Sequence, residues 1–154
     1  MSRLEYTERV IKEALRLFPV APFLARRVQE DTVLCGKEIP AGSVLVVNVF
    51  GAQRDPRHWP DPLTFDPDRF LGERSAGRHP YCYLPFSAGP RDCIGKRYAM
   101  MQMKTLLATA LRAYRLLPAR DGIDHPSQVP LRFDIFLHSL GSVKIRFERR
   151  TAPS

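Results

Sequence analysis

The sequence predicts an α+β fold with two main helices, a small β-sheet and a long, ordered, proline-rich coil. Two segments carry apolar residues at helical spacing, short β-branched or alternating segments lie between and after them, and half of the 14 prolines fall between Pro56 and Pro90. Of the 154 residues, 44% are hydrophobic and 26% are charged, which is typical of a folded globular chain. A chain of this length suits one hydrophobic core, so we expect a single domain over residues 1–154.

The first helix is predicted over residues 4–18. Its apolar residues recur at helical spacing, and Glu–Arg and Glu–Lys pairs four residues apart support its exposed face. Pro19 and Pro22 end it, because proline has no backbone N–H and disfavours helical backbone in the residue before it. The second helix is predicted over residues 94–114. Its apolar residues cover more than one face, so we expect it to be well buried.

Three segments have the composition of strands. Residues 27–34 are strand-like, and residues 44–50 are nearly all apolar and rich in valine, which predicts a buried strand. In the tail, apolar residues alternate over residues 131–137 and again over 143–147, which predicts a β-hairpin or a strand pair.

Residues 51–90 form the predicted coil, where the prolines exclude long helices and strands. A coil of this length is uncommon inside a domain and is usually either functional or disordered. Its aromatic residues indicate that it is packed and ordered: Trp59, Phe65, Phe70, Tyr81, Tyr83 and Phe86.

Composition excludes several classes of protein. The sequence holds no apolar run of the roughly 20 residues that a membrane span needs, and its first residues do not resemble a signal peptide. Three cysteines always leave one unpaired, which speaks against a secreted disulfide scaffold. The net charge of +8 fits nucleic acid, an anionic membrane or an acidic partner. Because no nucleic-acid-binding motif accompanies the charge, we expect no nucleic-acid partner.

The densest chemical signal is the segment FSAGPRDCIG, residues 86–95. Cys93 lies at the end of this Gly/Pro-constrained loop and directly before the second helix, whose N-terminal N–H groups favour a thiolate. Gly89 permits a tight loop, and Gly95 leaves room beside the sulfur for a large flat ligand. Phe86 would shield the site from water, and Arg91 would meet an acidic group of the ligand. These features suit an axial metal ligand.

Two other interpretations of the cysteines stay open on this pattern. A free cysteine is commonly a small buried core residue, which is the alternative interpretation of Cys93, and we expect Cys35 and Cys82 to be packed or partly exposed thiols. His79 and Cys82 stand three residues apart and would need Cys93 to complete a zinc site. The chain lacks a second pair at zinc-finger spacing, which disfavours zinc.

The pattern Phe-x-x-Gly-x-Arg-x-Cys-x-Gly resembles the haem-binding loop of cytochrome P-450 monooxygenases. Two further segments occur in the family's order: residues 13–16 resemble its Glu-x-x-Arg helix and residues 65–70 resemble its Pro-x-Arg-Phe segment. The resemblance covers residues 4–150 and implies the C-terminal portion of the mainly helical cytochrome P-450 fold. The residues around the loop are similar to the family-4 branch, which is known for ω-hydroxylation of fatty acids and for xenobiotic oxidation.

The resemblance implies a haem b site. Cys93 would be the thiolate ligand of the iron, and Arg91 and Arg26 would contact the haem propionates. Phe86, Gly89 and Gly95 would also belong to the cofactor site.

The resemblance also implies a buried network of Glu13, Arg16 and Arg69 that holds the proline-rich coil, with a structural rather than a catalytic role. Without that resemblance, Glu13 and Arg16 would be interpreted as a solvated ion pair. Gln53 stands where relatives often carry histidine, and we assign that difference no consequence.

The implied activity is insertion of one oxygen atom from O₂ into an apolar substrate such as a fatty acid or a xenobiotic. Residues 20–25 and 133–137 would touch that substrate. Electrons would come from NADPH-cytochrome reductase, with cytochrome b5 as a second candidate, through a basic face that includes Lys96 and Arg97. These two residues are alternatively plain solvated charges. The family places the parent protein at the endoplasmic reticulum membrane.

The resemblance extends only to the final third of the family's chains. We therefore expect residues 1–154 to be a single incomplete domain, with the membrane anchor and the oxygen-activating helix in a longer parent protein. The alternative is a truncated, inactive chain that acts at most as a haem-binding or interaction module. The nucleotide sequence upstream of Met1 would distinguish the two.

Overall fold

The computed structural model describes residues 4–119, 122–123 and 125–150. Within them the structure has four helices: α1 (Glu5–Leu17), α2 (Val49–Ala52), α3 (Gly72–Ser75) and α4 (Lys96–Ala113). The described strands form four antiparallel pairs: β1 (Phe23–Arg27) with β4 (Val44–Asn48), β2 (Thr32–Leu34) with β3 (Lys37–Ile39), β5 (Tyr114–Pro118) with β8 (Ile145–Arg149), and β6 (Leu131–Phe133) with β7 (Leu137–Ser139). The predicted α+β class is confirmed, although the β-structure is divided into separate pairs.

The first predicted helix is confirmed as α1, which is one residue shorter at each end than the predicted range. Its buried apolar residues are Ile11, Leu15 and Leu17, of which Ile11 and Leu15 stand four positions apart on one face. Pro19 and Pro22 follow it and are fully buried. The helix therefore ends where proline chemistry requires.

The prediction of one strand over residues 27–34 is wrong. The chain instead leaves β1 at Arg27, and β2 pairs with β3 around a tight turn at Cys35 and Gly36, whose φ angles are 51° and 74°. Directly after β1, Val28 donates its N–H to the Ser43 carbonyl at 2.8 Å, which adds one more hydrogen bond to the end of the β1–β4 ladder.

The prediction that residues 44–50 form a buried strand is also wrong in two respects. The strand β4 ends at Asn48, because the Asn48 side chain accepts the Gly51 N–H at 2.8 Å and caps α2. Along β4 only Leu45 is even partly buried, and Val46 is 60% exposed. β4 pairs only with β1, and two strands are too few to cover the apolar side chains of this segment.

The C-terminal part of the chain forms two separate strand pairs. The predicted pairing of residues 131–137 with residues 143–147 is wrong. The chain turns at residues 134–136, where the Asp134 N–H donates to the Phe136 carbonyl, so β6 and β7 form a hairpin and β8 pairs with β5 instead. Tyr114 begins β5 instead of ending the second helix. The Leu137 N–H donates to the Val20 carbonyl at 2.8 Å, so the hairpin is attached to the segment that follows α1.

The prediction that the second helix is well buried is wrong. No residue of α4 is buried, and Leu106 is 68% exposed. The described part of the chain packs α4 mainly against α1 and against β5, which immediately follows it, so its apolar residues on other faces stay exposed. No helix within residues 4–119, 122–123 and 125–150 is long and apolar enough to span a bilayer.

The core lies between α1 and the proline-rich coil. Trp59 is fully buried and donates its indole N–H to the Cys82 carbonyl at 3.2 Å. Its ring lies 5.8 Å from Phe70 and 6.2 Å from Tyr83, and these two rings are 4.9 Å apart. The coil is therefore packed through Trp59, Phe70 and Tyr83, as the sequence predicts, whereas the predicted packing of Phe65 and Tyr81 is wrong because both are exposed.

One carboxylate connects α1 to α4. Glu8 forms an ion pair with Lys12 at 2.7 Å and also accepts a hydrogen bond from Lys104 of α4. The Lys104 ammonium, and then that of Lys12, lower the pKa of Glu8 from 4.5 to about 2. This interaction stabilises the fold above pH 4.5 and is lost as the pH falls toward 2.

We expect Glu8→Gln to lower the free energy of unfolding at pH 7 by about 1 kcal/mol, since the carboxylate is partly exposed and screened. The difference from the unmodified chain should shrink between pH 4.5 and pH 2, because the carboxylate is protonated over that range. Urea unfolding at several pH values measures this, with Glu5→Gln in the same first turn as the control. A loss that does not change with pH would contradict the expected role of the Glu8 charge.

Candidate functional site

The cysteine loop, residues 86–95, is closed on itself by backbone hydrogen bonds. The Cys93 N–H donates to the Phe86 carbonyl at 2.9 Å, and the Asp92 N–H donates to the Gly89 carbonyl at 3.1 Å. Ser87 and Gly89 have φ angles of 62° and 80°, in the left-handed region where glycine is unstrained. The loop thus brings its first residue and its cysteine together although they are seven positions apart.

Cys93 is exposed and lies three positions before the first residue of α4. Its carbonyl accepts the Lys96 N–H at 3.2 Å, and the Gly95 carbonyl accepts the Ala99 N–H at 2.9 Å, which begins the helix. A Cβ atom built on Gly95 would lie 3.8 Å from the Cys93 sulfur, an ordinary contact distance. The glycine therefore leaves the side of the sulfur open, and an exposed thiol beside an absent side chain fits a large planar ligand.

The other residues predicted to hold the cofactor lie around this loop and on β1. Phe86 is half-buried, whereas Arg91 is exposed. Arg26 lies on β1 opposite Leu45, is exposed, and donates to the neighbouring Ala25 carbonyl at 2.8 Å. The two guanidinium groups therefore face solvent and can meet acidic groups of a ligand. Among the residues that the structure describes, no three His, Cys, Asp or Glu side chains are grouped to hold a metal ion.

The structure brings Glu13, Arg16 and Arg69 together in the core. The Glu13 and Arg16 side chains are fully buried, and Arg16 donates to both carboxylate oxygens, at 2.7 Å and 2.8 Å. Arg69 is 5% exposed, and its Nε lies 3.4 Å from the Glu13 Oε1 atom. One buried carboxylate thus serves two buried guanidinium groups.

The remaining bonds of Glu13 and Arg16 hold the proline-rich coil. Arg16 donates to the carbonyls of Gln53 at 2.9 Å, Pro62 at 2.8 Å and Thr64 at 3.2 Å. Glu13 accepts the Asp66 N–H at 2.9 Å. The ion pair therefore attaches α1 to two parts of the coil, Gln53 and the stretch from Pro62 to Asp66.

Arg69 holds another part of the same coil. Its guanidinium donates to the Asp61 carbonyl at 2.7 Å and to the Pro60 carbonyl, and its own carbonyl accepts from Arg78 at 3.1 Å. The Arg78 guanidinium lies 4.1 Å from the Trp59 ring centroid. A cation–π contact therefore links Arg78 to the aromatic core.

Sequence reasoning missed Gln53, to which it assigned no consequence. Gln53 is fully buried and its amide donates to the carbonyls of Leu15 at 3.1 Å and Arg16 at 3.0 Å. These carbonyls belong to the last turn of α1, where no later helical N–H can reach them. The Arg54 side chain donates to the next carbonyl of the same turn, that of Leu17. The adjacent side chains of Gln53 and Arg54 therefore cap the C-terminus of α1.

Gln53 also connects this helix end to the cysteine loop. Its amide oxygen accepts the Leu84 N–H at 2.8 Å, and the Leu84 carbonyl accepts the Ser87 N–H at 3.1 Å. The available sequence signal was the residue type, since a glutamine side chain carries both donors and an acceptor and can bind two backbone segments at once.

Tyr83 packs between the aromatic core and α1. Its hydroxyl donates to the Lys12 carbonyl at 3.0 Å. Burial raises the pKa of Tyr83 above its ordinary value, and the nearby Glu13 carboxylate acts in the same direction. The phenol therefore stays neutral and remains a hydrogen-bond donor at physiological pH.

Comparison with known proteins identifies the family. The Cytochrome P-450 family profile matches residues 1–141. The chain is 42% identical over 151 residues to probable cytochrome P-450 4ac1 of Drosophila melanogaster, an alignment that covers 97% of this chain and 28% of that protein. It is 41% identical over 150 residues to cytochrome P-450 4V2 of Rattus norvegicus, covering 97% of this chain and 28% of the relative.

Cytochrome P-450 4V2 of Homo sapiens is 40% identical over 152 residues, which are 99% of this chain and 28% of the human protein. The chain thus spans little more than a quarter of the length of the curated relatives that it matches. With a family profile over most of its residues and relatives at about 40% identity over nearly all of them, the chain belongs to the cytochrome P-450 family.

Proposed function

We propose that this chain supplies the proximal haem site of a cytochrome P-450 monooxygenase. The observation that carries the proposal is the exposed Cys93 thiol at the start of α4, held by the Cys93–Phe86 backbone bond and flanked by Gly95. Membership of the family supports a haem cofactor at this cysteine. Residues 1–154 would then be one incomplete domain of a longer protein.

In this proposal the Cys93 thiolate would hold the iron of haem b. The closed loop fixes the backbone of Cys93 just before α4 and so holds the sulfur in place. Phe86, Gly89 and Gly95 shape the surface that the ring meets. Bound haem supplies the activation of O₂ for insertion of one oxygen atom into an apolar substrate.

Arg91 and Arg26 would bind the haem propionates as charged donors from two different elements. Glu13, Arg16 and Arg69 would not touch the cofactor. Their role is to hold the coil that leads to the cysteine loop, through bonds to its carbonyls and N–H groups.

The substrate, partner and location of the whole protein belong to the same proposal. A fatty acid or a xenobiotic would be the substrate, bound near residues 20–25 and 133–137. Lys96 and Arg97 are exposed beside the cysteine loop and would receive an acidic face of NADPH-cytochrome reductase, or of cytochrome b5. The parent protein would work at the endoplasmic reticulum membrane.

The exposure of apolar side chains favours a second candidate. Ile94 next to the cysteine is fully exposed, and apolar residues of α4 and β4 such as Leu106 and Val46 are more than half exposed. A chain with these open surfaces would then act without catalysis, as a haem-binding or interaction module.

The test is a carbon monoxide difference spectrum of the reduced, haem-reconstituted chain. We expect a strongly red-shifted Soret band that is lost in Cys93→Ser, because serine cannot supply a thiolate. Cys35→Ser is the matched control, since Cys35 is also exposed but lies in the β2–β3 turn.

The outcomes separate the two candidates. A band that survives in Cys93→Ser, or is lost equally in Cys35→Ser, would contradict the assignment of Cys93. Haem binding without the red-shifted band would favour the non-catalytic module.

A further inference from the structure

A cavity of about 380 Å³ lies between α1, α4 and the start of the cysteine loop. Its volume is within the range of about 300–1,000 Å³ that is usual for small-molecule sites. The lining residues come from all three elements: Glu8, Lys12, Tyr83, Pro85, Phe86, Ser87, Lys96, Met100 and Lys104. The cavity is separate from the Cys93 sulfur, which does not line it.

The charges of this cavity are unbalanced. Lys12, Lys96 and Lys104 face one carboxylate, Glu8, which is already shared by Lys12 and Lys104. Because those two ammonium groups lower the pKa of Glu8 to about 2, the carboxylate is fully charged at neutral pH and still leaves an excess of two positive charges. Lys104 is only 15% exposed, so its charge is poorly screened by water.

The remaining wall is largely apolar. Pro85, Phe86 and Met100 line it, and the Tyr83 hydroxyl is already engaged by the Lys12 carbonyl. An occupant therefore needs one anionic group for the lysines and a short apolar body for this wall. A bare inorganic anion would leave the apolar wall unused, and a neutral alkane would leave the charge excess uncompensated.

We propose that this cavity is a binding site for a small amphipathic organic anion, with an anionic head at Lys96 and Lys104 and an alkyl body against Phe86 and Met100. The site does not depend on haem. It reaches the cysteine loop through Phe86, whose carbonyl holds the Cys93 N–H, so its occupant touches the residue that closes the loop.

The experiment uses the full chain labelled with [methyl-¹³C]methionine and titrated with sodium hexanoate. Met100 lines the cavity, whereas the neighbouring Met101 is exposed outside it and serves as an internal control. We expect the Met100 methyl resonance to shift and saturate while that of Met101 stays in place, with the two resonances assigned from Met100→Leu and Met101→Leu. 1-Hexanol tests the apolar body alone, and acetate tests the anionic head alone.

Lys96→Gln should weaken hexanoate binding by about three- to tenfold, since it removes one of the excess charges. Lys37→Gln removes an exposed lysine on β3 and should leave binding unchanged. Three results would overturn the site: a Met100 resonance that does not move, equal shifts at Met100 and Met101, or equal binding of hexanol and hexanoate. Equal effects of the two lysine substitutions would overturn the assigned role of Lys96.

Discussion

Replacing Arg16 with leucine is expected to lower the free energy of unfolding by about 3–5 kcal/mol, because the buried Glu13 carboxylate loses its two-point partner and keeps only the longer charged contact with Arg69. The substitution also removes the donors for three coil carbonyls, those of Gln53, Pro62 and Thr64. Urea unfolding monitored by the fluorescence of Trp59, the single and fully buried tryptophan, measures the change.

Arg9→Leu on the same helix is the matched control. Arg9 pairs with Asp68 at 3.2 Å, but the Asp68 side chain is about half exposed, so the expected loss is under about 1 kcal/mol. Arg16→Lys keeps the charge but loses the two-point contact with Glu13. We expect its loss in free energy of unfolding to lie between those of Arg16→Leu and Arg9→Leu.

Removing both partners, in Glu13→Leu with Arg16→Leu, should cost less than the sum of the single losses, since no buried charge of this pair is then left alone. Equal losses for Arg16→Leu and Arg9→Leu would show that the buried pair contributes no more than a surface one.

Gln53→Leu carries the second large effect, an expected loss of about 2–4 kcal/mol. Leucine has nearly the same volume but leaves the Leu84 N–H and the carbonyls of Leu15 and Arg16 without their buried partner. The same urea experiment measures this loss, with Gln102→Leu on the exposed part of α4 as the control.

Gln53→His should lose less than Gln53→Leu, since imidazole retains one donor and one acceptor for the same groups. If leucine and histidine destabilise the chain equally, hydrogen bonding is not what Gln53 contributes. We also expect Gln53→Leu to loosen the entry to the cysteine loop, because the Leu84 carbonyl holds Ser87. Faster amide exchange of Ser87 would report that change.

Gln53 and Arg54 show why part of the site was beyond sequence reasoning. Their partners in α1 lie 37 or 38 positions away, and nothing in the local pattern states that a helix end will arrive beside them. The grouping of Glu13, Arg16 and Arg69 was expected only through the family resemblance. Which carbonyls they hold follows from the path of the coil.

The exposure of α4 and β4 could not be predicted from the sequence for the same reason, since it depends on contacts between distant parts of the chain. The sequence states that Leu106 and Val46 are apolar, but burial depends on what packs against them, and within the described residues little does. Likewise the alternation in the tail predicts strands, whereas the pairing of β5 with β8 depends on a contact between segments about 30 residues apart.

The sequence by itself determined the start and end of α1, the proline-rich coil and the family to which the cysteine loop points. These features depend on neighbouring residues: proline ends a helix locally, and five residue types at set spacings define the loop. Only the tertiary structure decided the caps of α1, the partners of the buried charges, the division of the strands into pairs and the lysine-lined cavity. Each of these joins residues far apart in the chain, where the energy of a contact depends on geometry that local spacing does not encode.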